Sequence, residues 1–345
     1  MKKFLSVLLL LALMLPVCAT AQEVVNVYNW EDYIDESVLQ MFEEETGIKV
    51  NYMCFTTNED MMVQVEANPG AFDVCFPSEY MVERMLRKDM LAEIDYSQVP
   101  NAKYVLESLR NPTYDANNAH SVPYMWGTVG ILYNTTMVQE PVTSWTILWS
   151  DTYKNNVFML DSIRDSMGIT LKMLGHSMNT RDIIALETAK QKLVEQKQSG
   201  VVKAYQVDET KDKMVAGEAA LAVVWSGDAQ YAIDLNPDLA YAIPEEGSNI
   251  WVDCMVVPKA ARNYDNAMKL IDFLCRPDVA QLNCEAIWYS SPNSGAIELM
   301  GEAYTSNTVM NPSAEAVAHC EYFNDIDETF MPIYNALWQD VKNAK

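Results

Sequence analysis

The sequence predicts an α/β protein built as two lobes, and three observations carry that expectation. Short apolar runs alternate with helical patterns along most of the chain, as in a parallel sheet covered by helices on both faces. The chain has 345 residues, half of them hydrophobic and 21% charged. That is globular composition, but longer than the roughly 250–300 residues at which single cores stop growing. No repeat or long low-complexity linker breaks the alternation, so two lobes joined by extended crossings fit better than one large domain.

The first residues stand apart from the fold. Met1-Lys2-Lys3 is basic, Phe4 to Val17 is almost uninterruptedly apolar, and Ala19-Thr20-Ala21 supplies small residues before Gln22. Residues 1–21 therefore read as a secretory signal peptide, with an apolar run too short to span a bilayer comfortably. A lipid anchor at Cys18 is the rival reading.

Elements then follow in order. Val24 to Tyr28 is a strand, and Asp35 caps a helix with Val38, Leu39 and Phe42 on its apolar face, ended by Gly47. Lys49 to Phe55 alternates as a strand, a helix starts at Asn58, Phe72 to Phe76 is a strand, and another helix starts at Ser78. The second run has a strand at Val157 to Leu160, helices from Arg164 and Thr180, a strand at Val201 to Gln206 and a short helix to Ala216. Strands at Ala220 to Trp225, Leu239 to Ile243 and Trp251 to Val257 come next, then helices from Tyr264 and Pro277 and from about Asp327 to Asn343.

Charge and motifs exclude several function classes. With 48 Asp+Glu against 24 Lys+Arg, the net charge is −24, a field that repels phosphate backbones and draws in cations. Nucleic acid is not an expected partner. His120, His176 and His319 are unpaired in sequence, and metalloprotease, nucleophile-elbow and phosphate-loop motifs are missing. No enzyme activity, metal or cofactor is expected. A secreted hydrolase with paired carboxylates is the alternative from another class. Apart from Cys18, six cysteines remain in an exported chain, and none has metal or redox spacing. Their pairing is open, with burial as small hydrophobes the favoured role.

Aromatic residues and carboxylates fall together where strands end. Val27-Tyr28 runs into Trp30-Glu31-Asp32-Tyr33, the strand ending at Phe76 is followed by Ser78-Glu79-Tyr80, and the one ending at Val224 by Trp225-Ser226-Gly227-Asp228. Trp251-Val252-Asp253 lies where a strand crosses between lobes, and Tyr289 follows a helix. Ligands of open α/β sheets bind outside these carboxyl ends. Ring faces and carboxylates together suit an organic cation.

Those segments also carry a family likeness. Tyr28-Asn29-Trp30-Glu31-Asp32-Tyr33 with Glu45-Thr46-Gly47-Ile48-Lys49-Val50 resembles the spermidine/putrescine-binding proteins of bacterial ABC importers. The likeness runs through Pro77-Ser78-Glu79-Tyr80, Val122-Pro123-Tyr124-Met125-Trp126-Gly127, Ser144-Trp145, Trp251-Val252-Asp253 and Arg276-Pro277-Asp278-Val279-Ala280. It implies a two-lobed, periplasmic-binding-protein-like (type II) fold, each lobe a mixed, mostly parallel sheet flanked by helices. A cleft lined by Trp30, Tyr33, Ser78, Tyr80, Trp225, Trp251, Asp253 and Tyr289 would hold the ligand. Asp253 would be the central salt-bridge partner, and Trp225 and Trp251 would sandwich a methylene chain.

The chain departs from the family at the ends of that cleft. Glu31 stands where a hydroxyl is common, followed by Asp32. In Asp161-Ser162-Ile163-Arg164-Asp165, Ser162 replaces an Asp and Asp165 a Glu, while Phe323 replaces a Gln of spermidine binders. Glu31, Asp32, Asp161, Asp165 and Phe323 complete the candidate ligand set. A third ammonium is poorly served by Ser162 and Phe323, which tilts the expected preference slightly to putrescine, with spermidine also binding.

The resulting expectation is a periplasmic or extracellular, non-catalytic, monomeric receptor that delivers a polyamine to the membrane permease of an ABC importer. Another small solute (an amino acid, a sugar or ferric iron) is the alternative within binding proteins. The lobes are expected to comprise residues 22–129 plus 254–300 and residues 130–253 plus 301–345.

Overall fold

A computed structural model describes residues 22–344; the expected signal peptide and Cys18 lie outside them. Strand β1 (Val24–Trp30) pairs in parallel with β2 (Lys49–Phe55) and β3 (Val74–Cys75). Helices α1 (Glu36–Thr46), α2 (Asn58–Ala67) and α3 (Glu79–Arg87) alternate with these strands. Asp35 caps α1 by accepting from the Ser37 amide, and Gly47 ends it at φ 73°, as the sequence predicts. β1 runs two residues beyond its expected end, which puts Trp30 on the strand, whereas β3 is shorter than expected.

A 14-residue strand, β4 (Ser121–Asn134), carries the chain from one core to the other. Its first half pairs antiparallel with β9 (Ile250–Val256), which joins β3. Its second half pairs antiparallel with β7 (Leu221–Trp225) and β8 (Leu239–Ala242). β7 lies parallel to β5 (Val157–Leu160), and β5 to β6 (Val202–Gln206). Around this second sheet pack α4 (Ile163–Met173), α5 (Ile183–Ser199), α6 (Glu209–Val215) and α7 (Ser226–Leu235). Helices α8 (Tyr264–Leu274), α9 (Pro277–Ile287) and α10 (Ser294–Thr305) return to the first sheet. The final helix, α11 (Met331–Asn343), packs on α5. Pro332 sits in its first turn, so α11 starts four residues after the expected Asp327.

Two cores result. One gathers buried residues from Val25 to Trp126 and from Val252 to Met310, the other residues from Val129 to Val223 and from Ile326 to Val341. Leu132, Phe158 and Ala222 build a third, smaller cluster on the other face of the second sheet. Trp251–Asp253, expected in the second lobe, pair with Gly127–Met125 of the first sheet. Tyr304 and Met310, expected there too, pack in the first core.

Three chain crossings lie side by side between the cores. The Val129 amide donates to the Asn249 carbonyl at 3.1 Å, and Asn249 bridges to Glu321. All six cysteines of the described chain carry free thiols, and Cys75, Cys254, Cys275 and Cys284 are buried.

Candidate functional site

Asp253 stands at the middle of the junction between the cores. It is 6% exposed, and its two carboxyl oxygens accept from the Tyr33 hydroxyl at 2.8 Å and the Ser78 hydroxyl at 2.6 Å. Burial raises its pKa to about 6, against the pull of those two hydrogen bonds. No Lys, Arg or His of the described residues pairs with it. A buried carboxylate without a cation is costly.

Local structure explains how these groups meet. Ser78 is the N-cap residue of α3, yet its hydroxyl makes no cap hydrogen bond and is turned to Asp253. Asn58 fixes it, donating to the Ser78 oxygen at 3.0 Å and to the Tyr80 hydroxyl at 3.1 Å. The Tyr33 ring is held through its backbone carbonyl, which accepts from Tyr124 at 2.8 Å. Trp251 and Asp253 are two apart on β9 and so share a face. Trp30 ends β1 with its indole N–H donated to the Phe76 carbonyl at 2.8 Å.

Aromatic rings surround the carboxyl. Tyr289 meets Trp251 edge-on at 4.9 Å and Tyr33 at 5.9 Å. Trp225 ends β7 and is half-buried, like Trp251. Two glycines let the rings in. A Cβ on Gly127 would lie 2.5 Å from the Trp251 ring, and one on Gly227 would lie 2.4 Å from the Tyr289 ring. The indole nitrogen of Trp251 is buried with no partner.

Helices α3, α4 and α7 start at this junction, and their N-termini alone would attract an anion. Each carries an acid in its first turn: Glu79, Asp165 and Asp228. Glu79 accepts from the Val252 amide at 3.1 Å and the Phe323 amide at 3.2 Å. Burial still raises its pKa to about 8. Asp165 accepts from the Ser162 hydroxyl at 2.5 Å, and burial raises it to about 6. Burial also raises Asp228, against the pull of Lys211 at 3.2 Å. When ionised, these acids oppose the positive partial charge of the helix termini.

Apart from Trp30, the candidates fall into four groups. Trp251, Asp253 and Tyr289 join Tyr33 and Ser78 around one carboxyl, with Tyr80 linked through Asn58 and Trp225 on β7, across β4 from β9. Asp165 and Phe323 lie at the other end, where Phe323 is covered by Arg164 at 4.3 Å. Glu31 and Asp32 are exposed in the turn after Trp30, Asp32 at φ 51°. Asp161 is not brought to Asp253; it is exposed and paired with Lys342 of α11 at 2.7 Å. Asn58, Glu79, Arg164 and Asp228 are site neighbours outside the candidate set. The signal available for Glu79 and Asp228 was an acid one and three residues after a strand-end cap.

Comparisons with known proteins bear on the family and the fold. Residues 37–312 match the family described as bacterial extracellular solute-binding protein. A spermidine/putrescine-binding periplasmic protein of Salmonella typhimurium is 34% identical over 329 residues, 95% of this chain and 94% of its own. A crystal structure of the spermidine/putrescine ABC transporter substrate-binding protein PotD from Streptococcus pneumoniae superposes with a TM-score of 0.85. Its identity is 36%, covering 93% of this chain and 98% of that one. A putative spermidine/putrescine ABC transporter structure from Listeria monocytogenes gives 0.86 and 36%, covering 94% of this chain and 100% of that one.

Proposed function

The chain belongs to the bacterial extracellular solute-binding proteins, and we propose that it binds a polyamine in the junction around Asp253 and delivers it to the membrane permease of an ABC importer. The observation that carries this reading is the buried, cation-free Asp253 carboxyl, held by Tyr33 and Ser78 and walled by Trp225, Trp251 and Tyr289. An ammonium supplies the missing charge and three donors. The ring faces cover the methylenes of a linear amine and attract its charge. The three adjacent crossings are the natural hinge for opening and closing, with lobes meeting near Thr128–Val129, Asn249–Ile250 and Glu321. Export and action as a monomer belong to the same reading.

Titration calorimetry on protein refolded free of ligand tests it. Putrescine, cadaverine, spermidine and spermine are compared with an amino acid and a sugar. Saturable binding confined to the amines is expected, together with a rise in melting temperature as ligand exceeds its dissociation constant. Binding of the amino acid or sugar with no amine response would overturn the reading.

A further inference from the structure

Helix α3 meets the second lobe along one of its faces. Glu79, Glu83, Arg84 and Arg87 line one side of it at helical spacing, while Met81, Val82 and Met85 hold the opposite side in the first core. Facing those four residues is the segment 323–326, just past the third crossing. This segment belongs to the second lobe. Arg164 of α4 donates to the Asn324 carbonyl at 3.1 Å, Asn179 accepts from the Asn324 amide at 2.8 Å, and Ile326 is buried in the second core. From the first lobe, Glu79 accepts from the Phe323 amide at 3.2 Å and Glu83 from the Asp325 amide at 2.7 Å. Arg84 donates through Nε to Asp325 Oδ1 at 2.7 Å and through Nη2 to the Ile326 carbonyl at 3.2 Å. Arg87 pairs with the other Asp325 oxygen, and Lys88 reaches Glu328 at 3.7 Å. The Asp325 side chain is fully buried between the two guanidiniums, and that of Arg84 is 15% exposed.

We propose that Arg84 and Asp325 form an ionic clasp between the lobes that slows release of the ligand from a distance. Arg84 lies about 9 Å further along the α3 axis than Ser78, whose hydroxyl holds Asp253. The inference rests on the lobes hinging at the three crossings, and on the polyamine reading only for the choice of ligand in its test. These bonds join groups on opposite sides of the hinge, so they form as the lobes close and part as they open. On closure Asp325 exchanges water for two guanidiniums and an intact set of charge-assisted hydrogen bonds. Whatever the net worth of that exchange, deleting one partner leaves the other buried and unpaired in the closed state. Such a penalty appears mainly in the dissociation rate. Glu79 and Glu83, by taking main-chain amides on either side of residue 324, set the register in which the carboxylate meets the arginines. Because the clasp acts through closure, it serves every ligand that closes the cleft alike.

The test follows capture and release of putrescine and spermidine by stopped-flow tryptophan fluorescence, on protein refolded free of ligand. Asp325→Asn and Arg84→Gln should each raise the dissociation rate constant at least about tenfold and leave the association rate constant within about threefold. The ratio of spermidine to putrescine affinity should stay as in wild type. The double variant should lose less than the product of the single losses, since either change already breaks the clasp. Arg84→Lys keeps the charge but not the fork that spans Asp325 and Ile326, so it should fall between wild type and Arg84→Gln. If Asp325→Asn or Arg84→Gln melts without a cooperative transition, Arg87→Gln decides. That position is half-exposed, and the dissociation rate constant should rise at least about threefold there. An unmoved dissociation rate in the folded variants overturns the clasp while leaving amine binding intact. So does a loss of affinity that appears in the association rate or that differs between the two amines. Wild type that binds neither amine overturns the polyamine reading alone, and the empty proteins then decide. Asp325→Asn should show a larger radius of gyration than wild type in small-angle X-ray scattering, and equal radii overturn the clasp as well.

Discussion

Ser78 and Asp253, 175 residues apart in the chain, share a 2.6 Å hydrogen bond. It joins the first turn of a first-lobe helix to the strand that returns from the second core. Because the Ser78 hydroxyl is spent on Asp253 and not on its own helix cap, the pairing orients the carboxyl at the expense of local helix stability. A missing serine cap costs about 0.5–2 kcal/mol.

Replacing Asp253 with Asn should therefore separate binding from folding. The amide keeps the shape and can still bond Tyr33 and Ser78, so the empty protein should melt within a few degrees of wild type, or slightly higher with the buried charge removed. Truncating one partner of a buried charge pair costs about 2–5 kcal/mol, so amine affinity should fall more than tenfold. Calorimetry beside a thermal melt checks both. Equal affinity in the two proteins would place the ammonium elsewhere.

Proton linkage gives a second test. Burial raises Asp253 from 3.8 to about 6, so between those values the folded empty protein holds a proton that the unfolded chain has released. This group's contribution to stability of the empty protein is therefore largest in acid and is lost as pH rises through about 6. Ligand binding runs the other way, since an ammonium favours the charged carboxyl. Affinity should fall about tenfold per pH unit below 6 and level off above it, with Asp253 releasing close to half a proton on binding at pH 6. Calorimetry in buffers of different ionisation heat measures that release. A flat profile from pH 5 to 7.5 would contradict the shifted carboxyl.

Much of this site was legible because its chemistry sits at strand ends. Trp30, Tyr33 and Trp225 each follow or close a run whose periodicity announces a strand, Trp251 opens one, and Trp-x-Asp on one strand faces one way. What was hidden depends on contacts distant in sequence. The strand β4 is buried on both faces along nearly its whole length, so it shows no alternation, and Pro123 and Gly127 inside it look like breakers. Asp161 had an acidic neighbourhood but is claimed by Lys342, 181 residues away. Glu79 looked like an ordinary first-turn acid; only the fold brings the amides of Val252 and Phe323 onto its two oxygens. Arg164 likewise read as part of an acidic cluster, while its ring partners, Tyr80, Phe323 and Tyr334, lie far from it in sequence.

The thiols offer a check on the fold itself. Cys54 is exposed and Cys320 partly so, whereas the other four described cysteines are buried, and burial pushes the pKa of all six up. Native protein should react with a thiol reagent quickly at Cys54, more slowly at Cys320, and at the rest only on unfolding. All six should titrate in denaturant, and reductant should leave the melting temperature unchanged. Fewer than six thiols in denaturant would reveal a disulfide.

The contact of Gly227 with Tyr289 sets the last test, because it joins the two lobes. Gly227 opens α7 of the second lobe, and the Tyr289 ring belongs to the first. A methyl at Gly227 would stand 2.4–2.6 Å from three ring atoms, too close without moving the ring or parting the lobes. Tyr289 cannot swing freely, since Trp251 and Tyr33 pack on its other sides. Alanine is also a better helix former than glycine, so α7 itself should not suffer. Gly227→Ala should thus hold the lobes apart while each keeps its core. The expected outcome is an unfolding transition close to wild type, at least about tenfold weaker amine binding, and a ligand-induced decrease in radius of gyration that is reduced or lost in small-angle X-ray scattering. A variant that closes on ligand with wild-type affinity would show that the lobes need not meet at Tyr289 when the site is filled.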